Sequence, residues 1–125
     1  MKIRDGIVEA IGQTPLIRLI RASEATSCTI LGKAEFMNPG GSVKDRAGRQ
    51  MILEAEARGD LRPGGLVVEA TAGNTGIGLA LVANARGYRT LIVMPHSPTQ
   101  QKEGLRRPSG PSIVEGPAAP ARRPP

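Results

Sequence analysis

Short apolar runs alternate with amphipathic stretches between residues 14 and 94 of the chain. This alternation is typical of strand and helix units that build a mainly parallel sheet, so the pattern predicts an α/β fold. Four strands are predicted, at residues 16–19, 30–35, 66–70 and 90–94. The first is expected at the edge of a sheet, because Pro15 precedes it and proline cannot donate to a central ladder.

The spacing of apolar and capping residues predicts a helix from residue 43 to residue 58. Ser42 is its expected N-cap, Asp45 is the partner of Ser42 in a capping box, and Gly59 marks the C-terminal end. Residues at a spacing of four are expected to form its packing face, namely Ala47, Met51 and Ala55.

A second helix is predicted to start near Asn74 and to end before Gly87, with Ile77, Leu81 and the alanines as its packing face. Both helices follow a turn rich in glycine. The first turn of a helix carries backbone N–H groups without intrahelical partners, so either N-terminus could bind an anion.

The composition favours one small α/β domain over a nucleic-acid-binding surface. Phe36 and Tyr88 are the only aromatic residues of the 125, so the core must be built from aliphatic side chains. The formal net charge of +6 does not indicate nucleic acid, because the chain has no basic run and no interleaved aromatic residues that could stack on bases.

Cys28 is the single cysteine, which excludes an intramolecular disulfide and a cysteine-rich zinc site. No metal is expected, and a reducing compartment, the cytoplasm, fits best. The longest apolar runs are too short to span a bilayer, so no membrane insertion is expected.

The composition changes towards the C-terminus. Residues 108–125 hold six of the eleven prolines, and only Ile113 and Val114 are strongly apolar among them. Such a segment cannot bury enough apolar surface to fold alone. We therefore expect residues 1–107 to be the folded part and residues 108–125 to be a divergent, disordered tail.

The segment NPGGSVKDRAG, residues 38–48, places Lys44 in the first turn of the first predicted helix. The positive end of the helix dipole disfavours an ammonium group there, which makes the free amine more available. A free amine is what Schiff-base chemistry requires. The alternative is that Lys44 extends into solvent and that Asp45 and Arg46 are ordinary surface charges.

The segment EATAGNTGIGLA, residues 69–80, runs from a strand through a glycine-rich turn into the second helix. The turn presents backbone N–H groups and the side chains of Asn74 and Thr75, which suit a carboxylate or a phosphate. It is neither a Walker A loop nor a dinucleotide-binding GxGxxG motif. The alternative is a plain strand-to-helix turn whose glycines allow close packing.

Three segments carry a family resemblance when they are taken in order: IGQTPLIRL (11–19), GKAEFMNPGGSVKDRAG (32–48) and LRPGGLVVEATAGNTGIGLALVANARGYRTLIVMP (61–95). Over roughly residues 8–107 the chain resembles the cysteine synthases, or O-acetylserine sulfhydrylases, which are pyridoxal 5'-phosphate (PLP) enzymes of fold type II. The resemblance implies a three-layer parallel-sheet fold, present here as an N-terminal portion. A truncated or frameshifted gene is our hypothesis for residues 108–125.

The resemblance also implies roles for individual residues. Lys44 matches the catalytic lysine that binds PLP as a Schiff base and later removes the α-proton of the substrate. Asn74 matches the residue that hydrogen-bonds the 3'-oxygen of the cofactor. The loop that grips the substrate carboxylate corresponds to Thr71, Ala72, Gly73, Asn74 and Thr75, where Ala72 replaces the usual serine.

The implied reaction is β-replacement of O-acetylserine by sulfide, which gives L-cysteine and acetate. The implied substrates are small molecules, and the family suggests a homodimer. Two alternatives stay open: β-replacement of the cystathionine β-synthase type, and a non-catalytic remnant that associates with an intact paralogue. The phosphate-binding loop of the family has no counterpart in this chain, so we expect the chain to be inactive alone.

Overall fold

The structure is a computed structural model that describes residues 3–71, 73–95 and 112–116. Short elements open the chain, and two longer helices and three strands follow. In chain order the elements are α1 (Ile7–Ala10), β1 (Leu16–Arg18), α2 (Ile20–Thr26), β2 (Leu31–Lys33), a 3-10 helix (Glu35–Met37), α3 (Lys44–Ala57), β3 (Leu66–Ala70), α4 (Asn74–Ala85), β4 (Arg89–Pro95) and β5 (Ser112–Gly116).

The strands form two sheets. β1 and β2 pair antiparallel, with Leu16 opposite Lys33. β3, β4 and β5 form a parallel sheet in that order, with Val67 opposite Thr90 and Val93 opposite Val114. Parallel neighbours require crossover connections, and α4 is the crossover between β3 and β4. The predicted α/β class is therefore confirmed.

α4 covers one face of the parallel sheet. Ile92 and Met94 of β4 are buried and pack against Ile77 of α4. A second cluster joins α4 to α3 and to the N-terminal segment, and its buried members are Ile11, Ile52, Leu79, Val82 and Ala83. The core of the described residues is thus centred on α4.

The opposite face of the parallel sheet, here called the open face, carries apolar side chains that are exposed. Leu66, Val68 and Val114 retain about half of their accessible surface, at 48%, 55% and 49%. Parallel sheets are normally covered on both faces. The described residues therefore supply only one of the two helical layers that a three-layer fold requires.

The buried stripe of α3 differs from the predicted one. The buried residues are Asp45, Gly48 and Ile52, whereas Met51 is 51% exposed. The prediction of Ala47, Met51 and Ala55 as the packing face is therefore wrong by about one position around the helix. Asp45 was assigned to the cap and Gly48 had no assigned role, yet both lie on the buried side of the helix.

The predicted cap of α3 is also wrong in detail. The helix begins at Lys44, and Ser42 Oγ accepts the N–H of Lys44 at 3.1 Å, not that of Asp45. The carboxylate of Asp45 accepts a hydrogen bond from the N–H of Gly40, not from that of Ser42. Ser42 and Asp45 therefore both bond backbone N–H groups of this segment, but not the reciprocal pair that defines a capping box.

Several short elements were not predicted. These are α1, α2, the 3-10 helix and β5. β5 lies inside the segment that was expected to be a disordered tail. It is ordered by parallel pairing with β4, and this pairing could not be read from the composition of the segment. The remaining residues of that tail lie outside the described part, so a domain boundary at residue 107 stays a prediction.

Candidate active site

Two parallel helices, α3 and α4, position the candidate site. Glu56 near the end of α3 binds Arg86 just after α4 through two hydrogen bonds of 2.7 Å, and these residues are 30 positions apart. Ile52 and Val82 lie in the same core cluster between the helices. Gly48 and Gly78 meet backbone to backbone near the helix starts. Each of these pairs has the same separation, so the helices run side by side in one register.

This register brings the starts of the two helices together. Lys44 and Asn74 are the first residues of α3 and α4, and they lie one helical turn before the contact of Gly48 with Gly78. Both side chains are exposed. The two residues that were singled out from separate motifs therefore begin neighbouring helices at the same end.

That end is also the carboxyl edge of the parallel sheet. Thr71 follows β3 directly, and its N–H donates to the carbonyl of Val93 in β4 at 3.0 Å. Thr71 Oγ1 accepts the N–H of Gly73 at 3.3 Å, which closes the turn into α4. Ligands of open α/β sheets bind at the carboxyl ends of the strands.

The first turn of α4 is open towards this edge. Gly73 precedes the helix in an extended conformation, and no side chain of the described residues caps the turn. Thr75, in the first turn, is half-buried. Uncapped N–H groups at a helix start favour an anionic ligand. Thr71 and Gly73 thus lie in the turn that precedes α4, Asn74 and Thr75 lie in the first turn of the helix, and Ala72 lies outside the described residues.

A buried asparagine holds the loop that leads to Lys44. The side-chain amide of Asn38 donates to the carbonyls of Glu35 and Ser42 at 2.8 and 3.0 Å, while its Oδ1 accepts the N–H of Gly12 at 2.8 Å. Asn38 retains only 4% of its accessible surface. The loop before Lys44 is therefore tied to two other segments of the chain.

An ion pair fastens the same loop from the side of α3. The guanidinium of Arg46 contacts both carboxylate oxygens of Glu35 at 2.8 Å and also donates to the carbonyl of Gly12 at 3.0 Å. Hydrogen bonds from Arg46, then from Thr14 and Asn38, lower the pKa of Glu35 to about 2 from its ordinary value of 4.5. Glu35 therefore stays ionised over the whole physiological range.

Asp45 is fully buried next to Lys44. One oxygen of its carboxylate accepts the N–H of Gly40, and the other has no hydrogen-bond partner among the described residues. Burial raises the pKa of Asp45 above its ordinary value of 3.8, and the N–H of Gly40 opposes the rise. The alternative that Asp45 is a surface charge is therefore wrong.

Sequence reasoning missed the cluster of Thr14, Glu35, Asn38 and Arg46 as a unit. All four residues lie within the segments 11–19 and 32–48, which carried the family resemblance, so these motifs were the signal that could have pointed to the cluster. Thr14 lies 21 positions from Glu35 and 32 from Arg46, and partners at such distances cannot be assigned from spacing alone. The bidentate contact of Arg46 with Glu35 shows that Arg46, too, is more than a surface charge.

The donor set at the edge fits the aldehyde and the phenolic oxygen of PLP and the carboxylate of an amino-acid substrate. Lys44 supplies a primary amine, Asn74 supplies an amide and the first turn of α4 supplies uncapped backbone N–H groups, all at this end of the helix pair. These groups match an aldehyde, a phenolic oxygen and a carboxylate respectively, which are the groups of the cofactor and an amino-acid substrate. Among the described residues, no cluster of three or more His, Cys, Asp or Glu side chains could hold a metal ion.

A surface cavity of about 400 Å³ lies at the other end of the parallel sheet. Its lining includes Leu66, Tyr88 and Arg89, which mark the amino ends of β3 and β4. None of the predicted site residues contributes to it. Within the described ranges, no helix combines the length and the apolar character that a membrane crossing needs.

Comparison with known proteins defines the class of this fold and site. The model of the pyridoxal-phosphate dependent enzyme family matches residues 7–121. The chain belongs to that family. The match continues past residue 107, so the resemblance extends further than the sequence motifs indicated.

Individual relatives narrow the comparison. The chain is 60% identical over 116 residues to a cysteine synthase 1 of Neurospora crassa, which covers 93% of the chain and 31% of that relative. It is 49% identical over 118 residues to a cystathionine beta-synthase of Apis mellifera, which covers 93% of the chain and 23% of the relative. The chain thus spans about a third of the length of the cysteine synthase and less of the other enzyme.

A solved structure shares the fold. The crystal structure of an O-ureido-L-serine synthase superposes with a TM-score of 0.84 at 42% sequence identity, over 93% of this chain and 36% of that one. The predicted fold family is therefore confirmed, and so is the prediction that the chain corresponds to a portion of longer relatives.

Proposed function

We propose that this chain is the N-terminal portion of a cysteine synthase, a PLP-dependent transferase that replaces the acetoxy group of O-acetylserine by sulfide. The products are L-cysteine and acetate. The observation that carries the proposal is the parallel pairing of α3 with α4, which starts both helices at the carboxyl edge of the sheet. This pairing supports Lys44 and Asn74 as parts of one site.

The chain's own residues divide the work. Lys44 would hold the cofactor covalently and would move the α-proton of the substrate with its ε-amine. Asn74 would orient the cofactor ring, and the loop of Thr71, Ala72, Gly73 and Thr75 would bind the substrate carboxylate with its N–H groups and hydroxyls. PLP, when bound, supplies the electron sink for the reaction.

β-Replacement of the cystathionine β-synthase type is the second candidate. The 49% identity to the Apis mellifera enzyme favours it, although the identity to the Neurospora crassa cysteine synthase is higher. The two reactions would share the roles of Lys44 and Asn74 and differ in the incoming nucleophile. An assay with sulfide and with homocysteine as alternative nucleophiles separates them.

The open face supports a third candidate, a non-catalytic chain that associates with an intact paralogue. Its exposed apolar residues need a covering layer. Size-exclusion chromatography of the chain with and without a full-length cysteine synthase tests this candidate. A homodimer and a cytoplasmic location also belong to the proposal, because the family suggests the first and the single Cys28 supports the second.

The decisive experiment adds PLP to the purified chain and records the visible absorbance of lysine-bound cofactor. Lys44→Ala should abolish the absorbance band. Lys33→Ala is the matched control, since Lys33 is a second lysine, which lies in β2 and whose amine donates to the carbonyl of Thr14. A band that survives Lys44→Ala would exclude Lys44 as the Schiff-base lysine.

Product formation is measured separately. Cysteine is quantified after incubation of the chain with O-acetylserine and sulfide. A lysine-dependent band without cysteine is the result that we expect from the chain alone, because it spans only about 31% of the length of the Neurospora crassa relative. Cysteine formation at the rate of a full-length enzyme would contradict the expectation that the chain is inactive alone.

A further inference from the structure

Near the starts of α3 and α4, next to the candidate site, the two helices contact each other through backbone atoms at Gly48 and Gly78. A Cβ atom at Gly78 would lie 2.8 Å from the carbonyl oxygen of Lys44 and 3.1 Å from the Cα atom of Asp45. A Cβ atom at Gly48 would lie 2.7 Å from the carbonyl carbon of Gly78. These are backbone atoms, so a change of rotamer cannot relieve either clash.

We infer that Gly48 and Gly78 are positioning residues that set where Lys44 stands relative to Asn74. The inference rests on the proposed role of Lys44. Each glycine lies one turn after the first residue of its own helix, so the contact between them fixes the separation of the two helix starts. Any side chain at Gly78 moves the Lys44 peptide itself, away from the loop that begins α4.

The contacts around Lys44 restrict how its peptide can move when a side chain is placed at Gly78. In the residue after Lys44, the buried carboxylate of Asp45 accepts a hydrogen bond from the N–H of Gly40, which holds the preceding turn in place. A methyl group at Gly78 therefore pushes against a peptide that cannot retreat freely. Ile52 and Glu56 maintain the pairing further along α3, so the displacement stays local to the first turn.

The functional consequence concerns the placement of the lysine. A misplacement of about 1 Å can cost a positioned reaction on the order of a hundredfold. Gly78→Ala should therefore lower the reactivity of Lys44 towards PLP at least about tenfold, even where the helices still form. A role in packing alone would lower the stability of the chain without changing the reactivity of Lys44 in the folded molecules.

The test traps PLP on lysine with cyanoborohydride and compares modified Lys44 with modified Lys33 by peptide mass spectrometry. The wild-type chain should favour Lys44, and Gly78→Ala should lose that preference while its circular dichroism remains helical. Ile52→Ala is the matched control, because it destabilises the same helix pair without a contact to Lys44. Its folded fraction should keep the wild-type preference.

A second variant keeps the test decisive if Gly78→Ala does not fold. Val43→Lys combined with Lys44→Val shifts the lysine by one position without touching the glycine contact, and both side chains are exposed in the wild type. The displaced lysine should lose the preference, since one position turns a side chain by about 100° around the helix.

Three results overturn the inference. One is a folded Gly78→Ala chain with the wild-type preference, and another is an Ile52→Ala chain that loses the preference to the same extent. The third is a lysine at position 43 that traps PLP as well as Lys44 does. Equal trapping at Lys33 and Lys44 in the wild-type chain would instead refute the proposed function, and the inference with it.

Discussion

Replacement of Ile52 by alanine tests the register of α3 against α4 directly. Ile52 retains 2% of its accessible surface and packs with Leu79 and Val82 of α4. Met51, its neighbour in the chain, is 51% exposed. The pattern of the sequence favoured Met51 as the packing residue, so the two substitutions separate the predicted face from the observed one.

The size of the effect follows from what the substitution removes. Alanine lacks three carbon atoms of isoleucine, and burial of each such group is worth about 0.8 kcal/mol, or about 2.4 kcal/mol together. The helices already touch at Gly48 and Gly78, so they cannot close fully on the cavity. The expected loss is therefore about 3 to 4 kcal/mol, inside the range of about 2 to 5 kcal/mol for such changes.

Urea unfolding monitored by circular dichroism measures the loss. With a slope of about 1 to 3 kcal/mol per M, Ile52→Ala should lower the midpoint by at least about 1 M. Met51→Ala should change the free energy of unfolding by no more than about 0.5 kcal/mol. Equal losses for the two variants, or a larger loss for Met51→Ala, would refute the register described here.

Three further predictions concern the polar groups around Lys44. Glu35 has a folded pKa below its unfolded pKa, so the stability that it contributes is present above about pH 4.5 and is lost as the pH falls towards about 2. Glu35→Gln should therefore weaken the dependence of the melting temperature on pH over this range. Asp45 has a raised folded pKa, so wild-type stability falls as the pH rises from 3.8 through that raised value. The melting temperature of Asp45→Asn minus that of the wild type should therefore increase over the same interval. A difference between the two melting temperatures that does not change with pH would contradict the burial of this carboxylate. Arg46→Lys keeps the charge but loses the planar fork that reaches both Glu35 and the carbonyl of Gly12, so amide hydrogen exchange at Gly12 should accelerate, whereas exchange in the core of α4 should not.

The unit of β3, α4 and β4 was the part of the fold that the sequence predicted best. The bounds of β3 agree with the prediction at both ends, and β4 extends the predicted strand by one residue on each side. Each of these elements has a local signature, because an apolar run is bounded by a glycine turn or leads into a helix start. Local signals of this kind need no knowledge of distant partners.

The burial of α3 could not be predicted in the same way. Hydrophobicity marks Met51 as a packing residue and Asp45 as a surface residue, but the closest approach to α4 is made through a glycine. A backbone contact leaves no apolar signal in the sequence. The missed strand β5 has a related cause, since its pairing with β4 depends on a partner about twenty residues earlier in the chain.

The individual residues of the candidate site were predicted from the sequence, whereas the residues that hold the loop before Lys44 were recognised only in the structure. Lys44 and Asn74 were found from motif order, and their roles stay predictions. The support formed by Asn38, Glu35 and Arg46 depends on contacts with Gly12 and Thr14, which precede it by more than twenty positions. Such contacts form only once the chain has folded.

The turn between α3 and β3 lies at the far end of the helix pair from Lys44. Gly59 and Gly64 adopt positive φ values of 76° and 74° there, and a Cβ atom at either would meet nothing within 4 Å. Insertions or deletions in this turn therefore leave the glycine contact unchanged, whereas one residue gained or lost between Lys44 and Gly48 rotates the lysine away from Asn74. Natural variation in length should accordingly accumulate at the turn, and engineered splits or inserted tags belong there.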